Sequence, residues 1–583
     1  MDNNKKNTSP INPSRRDSLK YLSAFGVLGL TGCCYNKRPE TKITEQALRS
    51  LKNRGGELRL LSPEVQLSAK QRRRRTPTYC LDAHAHFFNA SDVNVKGYVE
   101  GPVANSMESR ILKKLVKAMA GVIDAIADIA PTAYEENQEL GILIKAIGQD
   151  RTTLSKRMTT LRSTLNNKRD EVARELYNEM KGEDAEHLYL KAIEAFYRES
   201  GLRVDKAKIE FTEELVREAI DPVRRQRWLR SLKDDQPSAK LAQDPGGVLE
   251  FVGHMLTPRW GTLLDYQDAY TNQSGSFGLD AVFSSLVDFD YWLDCIPPSA
   301  RRDQMKLHSR MSQLSGGYML PIIAYNPWTD LKHNDASLKL VQEAITNYGF
   351  IGVKIYPPNG FYPYGNASID NTTEQPRPRD LEALDQKLEA MFGWCADHQL
   401  PVMAHTSQSM GSDNKANLFG GPKGWAALLQ RLSSQQKVPI INAGHFGGDE
   451  GGNTWTTEFG RLMNTPGGQH LYADVGYWDR LQHCQTPDCL QIKRIKGALT
   501  ASNQLAKNRI MYGTDWLMSS KQTGWPDYPF LVQQLLQDLL PMDRFFYQNA
   551  LECFGLNPGG AQYDKIKKRF ESDPGGLPDW LPS

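Results

Sequence analysis

Short apolar runs recur along the chain, and each is followed by loop residues. From residue 279 onward these runs alternate with stretches of helical periodicity, such as 337–345. Strands that are apolar throughout and alternate with helices are typical of a parallel sheet covered by helices. The runs lie at 79–84, 279–287, 318–324, 352–356, 401–404, 438–443, 471–475 and 509–513. Because eight strands close a (β/α)8 barrel of the TIM type, the pattern predicts this α/β fold.

A long stretch of helical periodicity separates the first run from the second. Apolar residues recur there at helical spacing, with Glu, Lys and Arg between them. We interpret this stretch as a helical insertion after the first strand, with a separate helical domain as the alternative. An insertion leaving from that strand end is expected either to cover the barrel mouth or to meet another subunit of a homo-oligomer. The predicted parts are a signal at 1–34, a polar tether at 35–76, the first strand and its loop at 77–105, the insertion at 106–255, the rest of the barrel at 256–560 and a tail at 561–583.

The amino terminus resembles an export signal. Arg15 and Arg16 precede an apolar segment at 21–30, as in a twin-arginine signal, although Ser18 is unusual for that pattern. This segment is too short to span a bilayer comfortably. Residues 30–33 resemble a bacterial lipobox, in which Cys33 would be lipidated. We therefore expect a lipoprotein anchored on the periplasmic side of a bacterial membrane; a disordered tail with a chance apolar run is the alternative.

Composition identifies no macromolecular partner. The formal net charge is +3, and 40% of the residues are hydrophobic. The basic run at 72–75 lacks interleaved aromatic residues, so we expect no nucleic-acid binding. None of the eight cysteines forms a Cys-x-x-Cys pair, and Cys484 and Cys489 are close enough to pair across a loop.

Side chains that bind metals stand near the ends of several predicted strands. His84 and His86 lie two residues apart on the first strand, so their rings point to one face. In a (β/α)8 barrel the carboxyl ends of the strands form the active-site face, where we expect such residues to converge. In strand order, the candidates are His84, His86, Lys354, His405, His445 and Asp515.

The order of these pieces resembles the amidohydrolase superfamily, and within it the amidohydrolase-2 group of metal-dependent hydrolases and decarboxylases. The matching segments are 82–86, 352–357, 402–406, 443–448, 512–516 and 549–556. The resemblance implies that one divalent ion, expected to be Zn²⁺, is held by His84, His86, His405 and Asp515. Three imidazoles and one carboxylate suit this ion and leave a position open for water.

The resemblance also implies how these residues act. Asp515 would accept a proton from the metal-activated water, and His445 would hydrogen-bond that water or polarise the substrate. A structural histidine is the alternative for His445. Lys354 would bridge two metals if it were carboxylated; otherwise it would contact the substrate or form a buried ion pair. We expect one metal.

Aromatic residues are frequent in the loops that follow the strands. Tyr325, Trp328, Tyr356 and Trp516 are candidates for the walls of a substrate pocket, although packing between loops is an alternative for each. Such walls suit a planar or hydrophobic small molecule. The sequence therefore predicts a metal-dependent hydrolase that cleaves an amide, ester or lactone. The alternatives are a non-oxidative decarboxylase and a catalytically inactive, surface-tethered binding barrel.

Overall fold

The structure begins at the first barrel strand. This computed structural model describes residues 79–583 apart from gaps at 105–106, 108, 148–150, 203–208, 236–243, 272–277, 291–296, 370–380, 410–415, 449–453, 485–487 and 572–575. The predicted export signal, Cys33 and the tether lie outside the described residues. Among the described residues, no helix has both the length and the hydropathy needed to span a bilayer.

Eight parallel strands follow one another around a single sheet in chain order. They are β1 (Leu81–Ala85), β2 (Ala281–Ser285), β3 (Met319–Ala324), β4 (Val353–Ile355), β5 (Pro401–His405), β6 (Ile440–Gly444), β7 (Leu471–Asp474) and β8 (Ile510–Met511). The sheet closes where the Ala83 amide donates to the Tyr512 carbonyl at 3.0 Å and the Asp515 amide donates to the His84 carbonyl at 2.7 Å. Each strand overlaps one predicted apolar run, and the predicted (β/α)8 barrel is confirmed.

Nine α-helices of the described chain lie between β1 and β2. They are α1 (Val95–Tyr98), α2 (Arg110–Ile126), α3 (Ala133–Ile147), α4 (Arg151–Met180), α5 (Asp184–Glu199), α6 (Glu213–Ile220), α7 (Pro222–Asp235), α8 (Gly246–Leu256) and α9 (Arg259–Thr271). This helical region extends beyond the predicted 106–255 at both ends. Every residue of α8 and most residues of α9 are buried. A helix buried on all sides lacks the polar stripe that reveals its period in a sequence.

The remaining helices surround the barrel and cover its amino-terminal end. They are α10 (Arg301–Leu314), α11 (Pro327–Lys332), α12 (Ala336–Asn347), α13 (Leu381–Asp397), α14 (Pro422–Ser434), α15 (Trp455–Leu462), α16 (Leu490–Ala501), α17 (Tyr528–Leu536), α18 (Asn549–Cys553) and α19 (Tyr563–Glu571). The carboxyl-terminal segment is packed onto the barrel: Trp580 is buried, and its carbonyl accepts a hydrogen bond from the Tyr547 hydroxyl at 2.7 Å.

Two buried arginines join the insertion to the barrel. Arg259 of α9 pairs with Asp92 after β1 and with Glu136 of α3. Arg225 of α7 pairs with Glu250 of α8 at 2.6 Å, and it also donates to the Ser520 carbonyl beyond β8 at 3.1 Å. Because a guanidinium hydrogen-bonds its carboxylate partners in a defined geometry, each arginine holds the segments that it joins in one relative position.

A lysine of α19 provides a test of how this packing depends on pH. Lys565 donates to the carbonyls of Ile345 at 3.2 Å and Phe350 at 2.9 Å, and burial lowers its pKa from 10.5 to about 8. Between these two values the unfolded chain binds more protons at this group, so the free energy of unfolding rises with pH. Urea titrations from about pH 7.5 to 9.5 should show a smaller rise for Lys565→Met than for the parent. If the free energy of unfolding depended equally on pH in both proteins, Lys565 would not be the group whose pKa is lowered by folding.

Candidate metal centre

Two imidazoles and a carboxylate converge at the carboxyl ends of β1 and β8. His84, His86 and Asp515 each offer one ligand atom, and these atoms lie within 4.8 Å of one another. Asp515 Oδ1 is 3.4 Å from His84 Nε2 and 3.3 Å from His86 Nε2. All three residues are buried. Strand pairing causes the convergence, because the Asp515 backbone hydrogen-bonds to His84 itself.

The other ring nitrogen of each histidine is already engaged. His84 Nδ1 is 2.8 Å from Asp474 Oδ1, and His86 Nδ1 is 2.8 Å from the Ser285 carbonyl. These oxygens accept hydrogen bonds, so each neutral ring carries its proton on Nδ1 and its lone pair on Nε2. Three acceptors therefore converge on one point. This donor set fits a divalent cation, and the outer contacts orient the rings as in metal sites generally.

The backbone at two glycines lies close to His84 and restricts the position of its ring. A Cβ added at Gly476 would lie 2.8 Å from His84 Nδ1, and one at Gly513 would lie 2.9 Å from His84 Cβ. A side chain at either position would push the ring away from Asp515. His445 and Asp515 themselves have positive φ angles, of 68° and 54°. Such backbone conformations are uncommon outside glycine and cluster at functional sites.

The electrostatics keep the centre in a form that can bind a metal. Burial alone would raise the pKa of Asp515, but the hydrogen bond with His86 and the neighbouring His445 and His84 hold it below its usual value. Burial, reinforced by Lys354, lowers the pKa of His84 well below its usual value. At neutral pH the carboxylate is therefore ionised and the His84 imidazole is neutral, as metal ligation requires.

Lys354 of β4 reaches the same centre. Its Nζ lies 3.2 Å from His84 Nε2, and burial lowers its pKa to about 8. The single lone pair of His84 Nε2 serves either this ammonium or a metal ion. Metal binding through His84 therefore requires Lys354 to give up the contact.

His405 and His445 form a pair beside His84, His86 and Asp515. The β5–β6 register places His405 opposite Gly444, and the two histidine rings meet with Nδ1 of His405 at 2.9 Å from Nε2 of His445. His445 Nδ1 faces the Gly476 carbonyl at 2.8 Å, so it donates there and its Nε2 accepts from His405. His405 Nε2 faces the Ser407 hydroxyl at 3.0 Å. The structure thus brings three of the four predicted ligands together, and the fourth, His405, contacts His445.

Asp474 also belongs to this centre, and it is absent from the site residues predicted from the sequence. It ends β7, is fully buried, and accepts hydrogen bonds from Asn442 at 2.8 Å and from the backbone amides of His445 and Gly476. The signal was available, because Asp474 lies at the end of a predicted strand as the other candidates do. Within the apolar run at 471–475, this single carboxylate lacks a neighbouring ligand-type residue such as His84 has in His86.

An Asp474→Asn substitution tests this outer contact. The amide can present an NH2 group to His84 Nδ1, which opposes the proton position described above. We expect zinc affinity to fall by about 10- to 100-fold while the fold is retained. Competition with a chromogenic chelator measures the affinity, and Asp538→Asn on the exposed surface is the matched control. Unchanged zinc affinity would show that Asp474 does not orient His84.

The four aromatic residues that the sequence predicts to line a substrate pocket lie in different surroundings. The Tyr356 ring is 4.6 Å from the His405 ring, and its hydroxyl is 3.0 Å from Ser409 Oγ. The other three pack against loops and helices. The Tyr325 hydroxyl donates to the Lys387 carbonyl, Trp328 Nε1 donates to the Asn359 carbonyl, and the Trp516 ring packs on His254 and Trp525.

A disulfide lies in the loop beyond β7. Cys484 and Cys489 are bonded, with their Cα atoms 5.6 Å apart. The pairing that the sequence left open is therefore present.

The chain is a parallel eight-stranded barrel with a buried group of two histidines and an aspartate at the carboxyl ends of its strands. Residues 321–556 match the family model described as amidohydrolase, and the predicted resemblance to the amidohydrolase superfamily is confirmed. The matched range contains His405, His445 and Asp515, but it begins after His84 and His86.

Solved structures of similar fold come from several bacteria. An uncharacterised TIM-barrel protein from Bordetella bronchiseptica is 14% identical, with 59% of this chain and 90% of that chain covered and a TM-score of 0.34. An amidohydrolase from Burkholderia multivorans with bound zinc is 12% identical over 47% of this chain and 83% of that chain, with a TM-score of 0.30. A probable 2-pyrone-4,6-dicarboxylic acid hydrolase from Acinetobacter baumannii is 15% identical over 48% and 84%, with a TM-score of 0.27. Likeness at this level says nothing about the reaction of this chain. No curated protein matches it.

Proposed function

We propose that this chain is a metal-dependent hydrolase that cleaves an amide, ester or lactone bond in a small molecule. The observation that carries the proposal is the convergence of two imidazole lone pairs and one ionised carboxylate on one buried point. One Zn²⁺ held by His84, His86 and Asp515 suits this mixture of nitrogen and oxygen donors. The amidohydrolase match supports the hydrolytic reaction class.

A bound divalent ion would supply Lewis-acid polarisation of the substrate and a lowered pKa for water. Side chains of the protein would transfer the proton. Asp515 lies within reach of both histidine ligands, and it is the base that takes the proton of the attacking water and delivers it to the leaving atom. His445, oriented by the Gly476 carbonyl, offers Nε2 as an acceptor to water or substrate once His405 turns away. His405 would join the metal as a fourth ligand through Nε2 after releasing Ser407.

Lys354 is an unmodified amine in this proposal, and the centre binds one ion. Its Nζ lies 3.2 Å from His84 Nε2, a contact in which the amine donates to the imidazole lone pair. Two ions per chain would instead make Lys354 a carboxylated bridge.

The experiment is a panel of aryl esters, lactones and N-acyl amides, offered to the zinc-loaded protein, the zinc-stripped protein and Asp515→Asn. The proposal expects zinc-dependent release of a carboxylic acid from one of these classes. Release of CO₂ with C–N and C–O bonds intact would instead identify a decarboxylase. Zinc binding without turnover of any class would favour the binding barrel.

Export and lipid anchoring at Cys33 remain part of the proposal. The Cys484–Cys489 disulfide supports an oxidising compartment such as the periplasm. Release of a Cys33→Ala variant from washed membranes that retain the parent protein is the test.

A further inference from the structure

Four aromatic rings stand together beside the metal centre. We define the aromatic wall as Phe88, Tyr98, Phe289 and Tyr356. Tyr98 stacks on Phe289 with centroids 5.7 Å apart and an interplanar angle of 20°. Phe88 meets Tyr98 edge to face at 5.6 Å, and Phe289 meets Tyr356 in the same way at 4.9 Å. The wall is therefore continuous from one ring to the next.

The two ends of the aromatic wall meet the imidazoles of the centre. Phe88 lies 6.4 Å from the His86 ring, and Tyr356 lies 4.6 Å from the His405 ring. The imidazoles continue the circuit, with the His405 and His445 rings 4.4 Å apart and the His84 ring 4.6 Å from His445. His84 and His86 close it at 5.2 Å. The eight rings thus form one continuous series of neighbours, from Phe88 through Tyr356 and His405 to His86.

Exposure separates the residues that can meet a small molecule from those that lie beneath. His405 is 9% exposed, and His86, Asp515 and Tyr98 are each 6% exposed. His84 is 0% exposed. These residues are therefore buried, but all of them except His84 keep a small exposed fraction, and Phe88 and Phe289 of the wall are each 4% exposed.

The helical insertion supplies one of these rings. Tyr98 ends α1, whose first turn is capped by Asn94 through a hydrogen bond from the Gly97 amide at 3.1 Å. The Tyr98 hydroxyl lies 3.1 Å from Met518 Sδ in the segment beyond β8. Burial raises the pKa of Tyr98, and the nearby Tyr356 and Asp515 raise it further. Tyr98 is therefore held in place both by its helix and by the contact of its hydroxyl with Met518.

We propose that the aromatic wall binds a flat aromatic ring of the substrate, adjacent to the group that the metal centre attacks, and that Tyr98 and Phe289 determine this specificity. This inference rests on the proposed function. Rings that present both faces and edges favour a planar π-system, which can make offset-stacked and edge-to-face contacts that a puckered ring of equal size cannot make. The substrate class is therefore an aryl ester, an aryl amide or a lactone fused to an aromatic ring.

Three hydroxamates separate ring binding from metal binding. Acetohydroxamate, cyclohexanehydroxamate and benzohydroxamate share one zinc-chelating group and differ in the group beside it. Calorimetric titration of the zinc-loaded full chain should give benzohydroxamate about tenfold tighter binding than the cyclohexane compound. Tyr98→Leu and Phe289→Leu should bring this ratio towards one, because each removes a ring while all three compounds keep the same chelating group. Tyr98→Phe retains the ring and should retain the ratio.

The matched control is Phe530→Leu, because Phe530 is 47% exposed on α17 and lies outside the aromatic wall. If acetohydroxamate binds but benzohydroxamate binds no better than the cyclohexane compound, the aryl inference is wrong and the hydrolase proposal stands. If the zinc-loaded protein binds no hydroxamate, the aryl inference and the hydrolase proposal are both wrong. The ratio in the parent protein decides the matter even if a leucine variant fails to fold.

Discussion

Asp515→Asn is expected to bind zinc at least about 100-fold more weakly than the parent protein and to lose about 10²- to 10⁴-fold in turnover. The amide retains the size of the carboxylate but removes its charge and its basicity. His84 and His86 then lack the anionic partner that lies within 3.4 Å of both Nε2 atoms. Only neutral imidazoles, those of His84, His86 and His405, then remain, and no anionic ligand offsets the charge of a divalent ion in this buried site.

Elemental analysis after dialysis and initial rates on the substrate identified from the panel measure the two effects. Asp538→Asn is again the control, because it makes the same chemical change at an exposed position. A variant that retains a full equivalent of zinc would show that Asp515 is not a ligand. Retention of turnover without zinc would remove the basis of the proposed mechanism.

The second large effect concerns stability. Arg259→Leu should lower the free energy of unfolding by about 3–5 kcal/mol, because it leaves two buried carboxylates without their cation. Arg259 is fully buried and pairs with Asp92 and Glu136; it also donates to Ser91 Oγ at 2.8 Å and Ser299 Oγ at 3.0 Å. These partners come from the insertion, the β1 loop and the β2 loop, so the loss should loosen the insertion from the barrel.

Arg431→Leu is the matched control for this prediction. Arg431 forms an exposed pair with Glu389 at 3.0 Å, and exposed pairs contribute about 0–1 kcal/mol. Urea unfolding followed by circular dichroism compares the two variants. Equal destabilisation would show that the buried network does not hold the insertion in place.

The sequence was sufficient to predict the barrel because its strands are buried on both faces. All eight strands overlap apolar runs, and the side chains at their ends follow from the direction of a parallel sheet. His84, His86 and Asp515 could therefore be expected to meet although hundreds of residues separate Asp515 from the first strand. The insertion was recognised as helical, but its last helix was assigned to the barrel because it is buried on almost all sides.

The pattern of hydrophobic and polar residues does not predict contacts between loops. Tyr98 belongs to the insertion and Phe289 to the β2 loop, and only the folded chain shows that their rings stack. Tyr325 and Trp328 follow β3 in the same way as Tyr356 follows β4, yet Tyr325 turns towards α13. Which ring nitrogen of His445 meets His405 depends on the carbonyl of Gly476, a backbone group that carries no residue-specific signal.

The central claim is that one divalent ion binds between His84, His86 and Asp515. Anomalous diffraction from crystals of the zinc-loaded protein, recorded on both sides of the zinc absorption edge, tests it most directly. The account predicts one zinc peak per chain, within about 2.0–2.2 Å of His84 Nε2, His86 Nε2 and an Asp515 carboxylate oxygen, with Lys354 withdrawn from His84. A peak bound elsewhere, or no peak after loading, would contradict it.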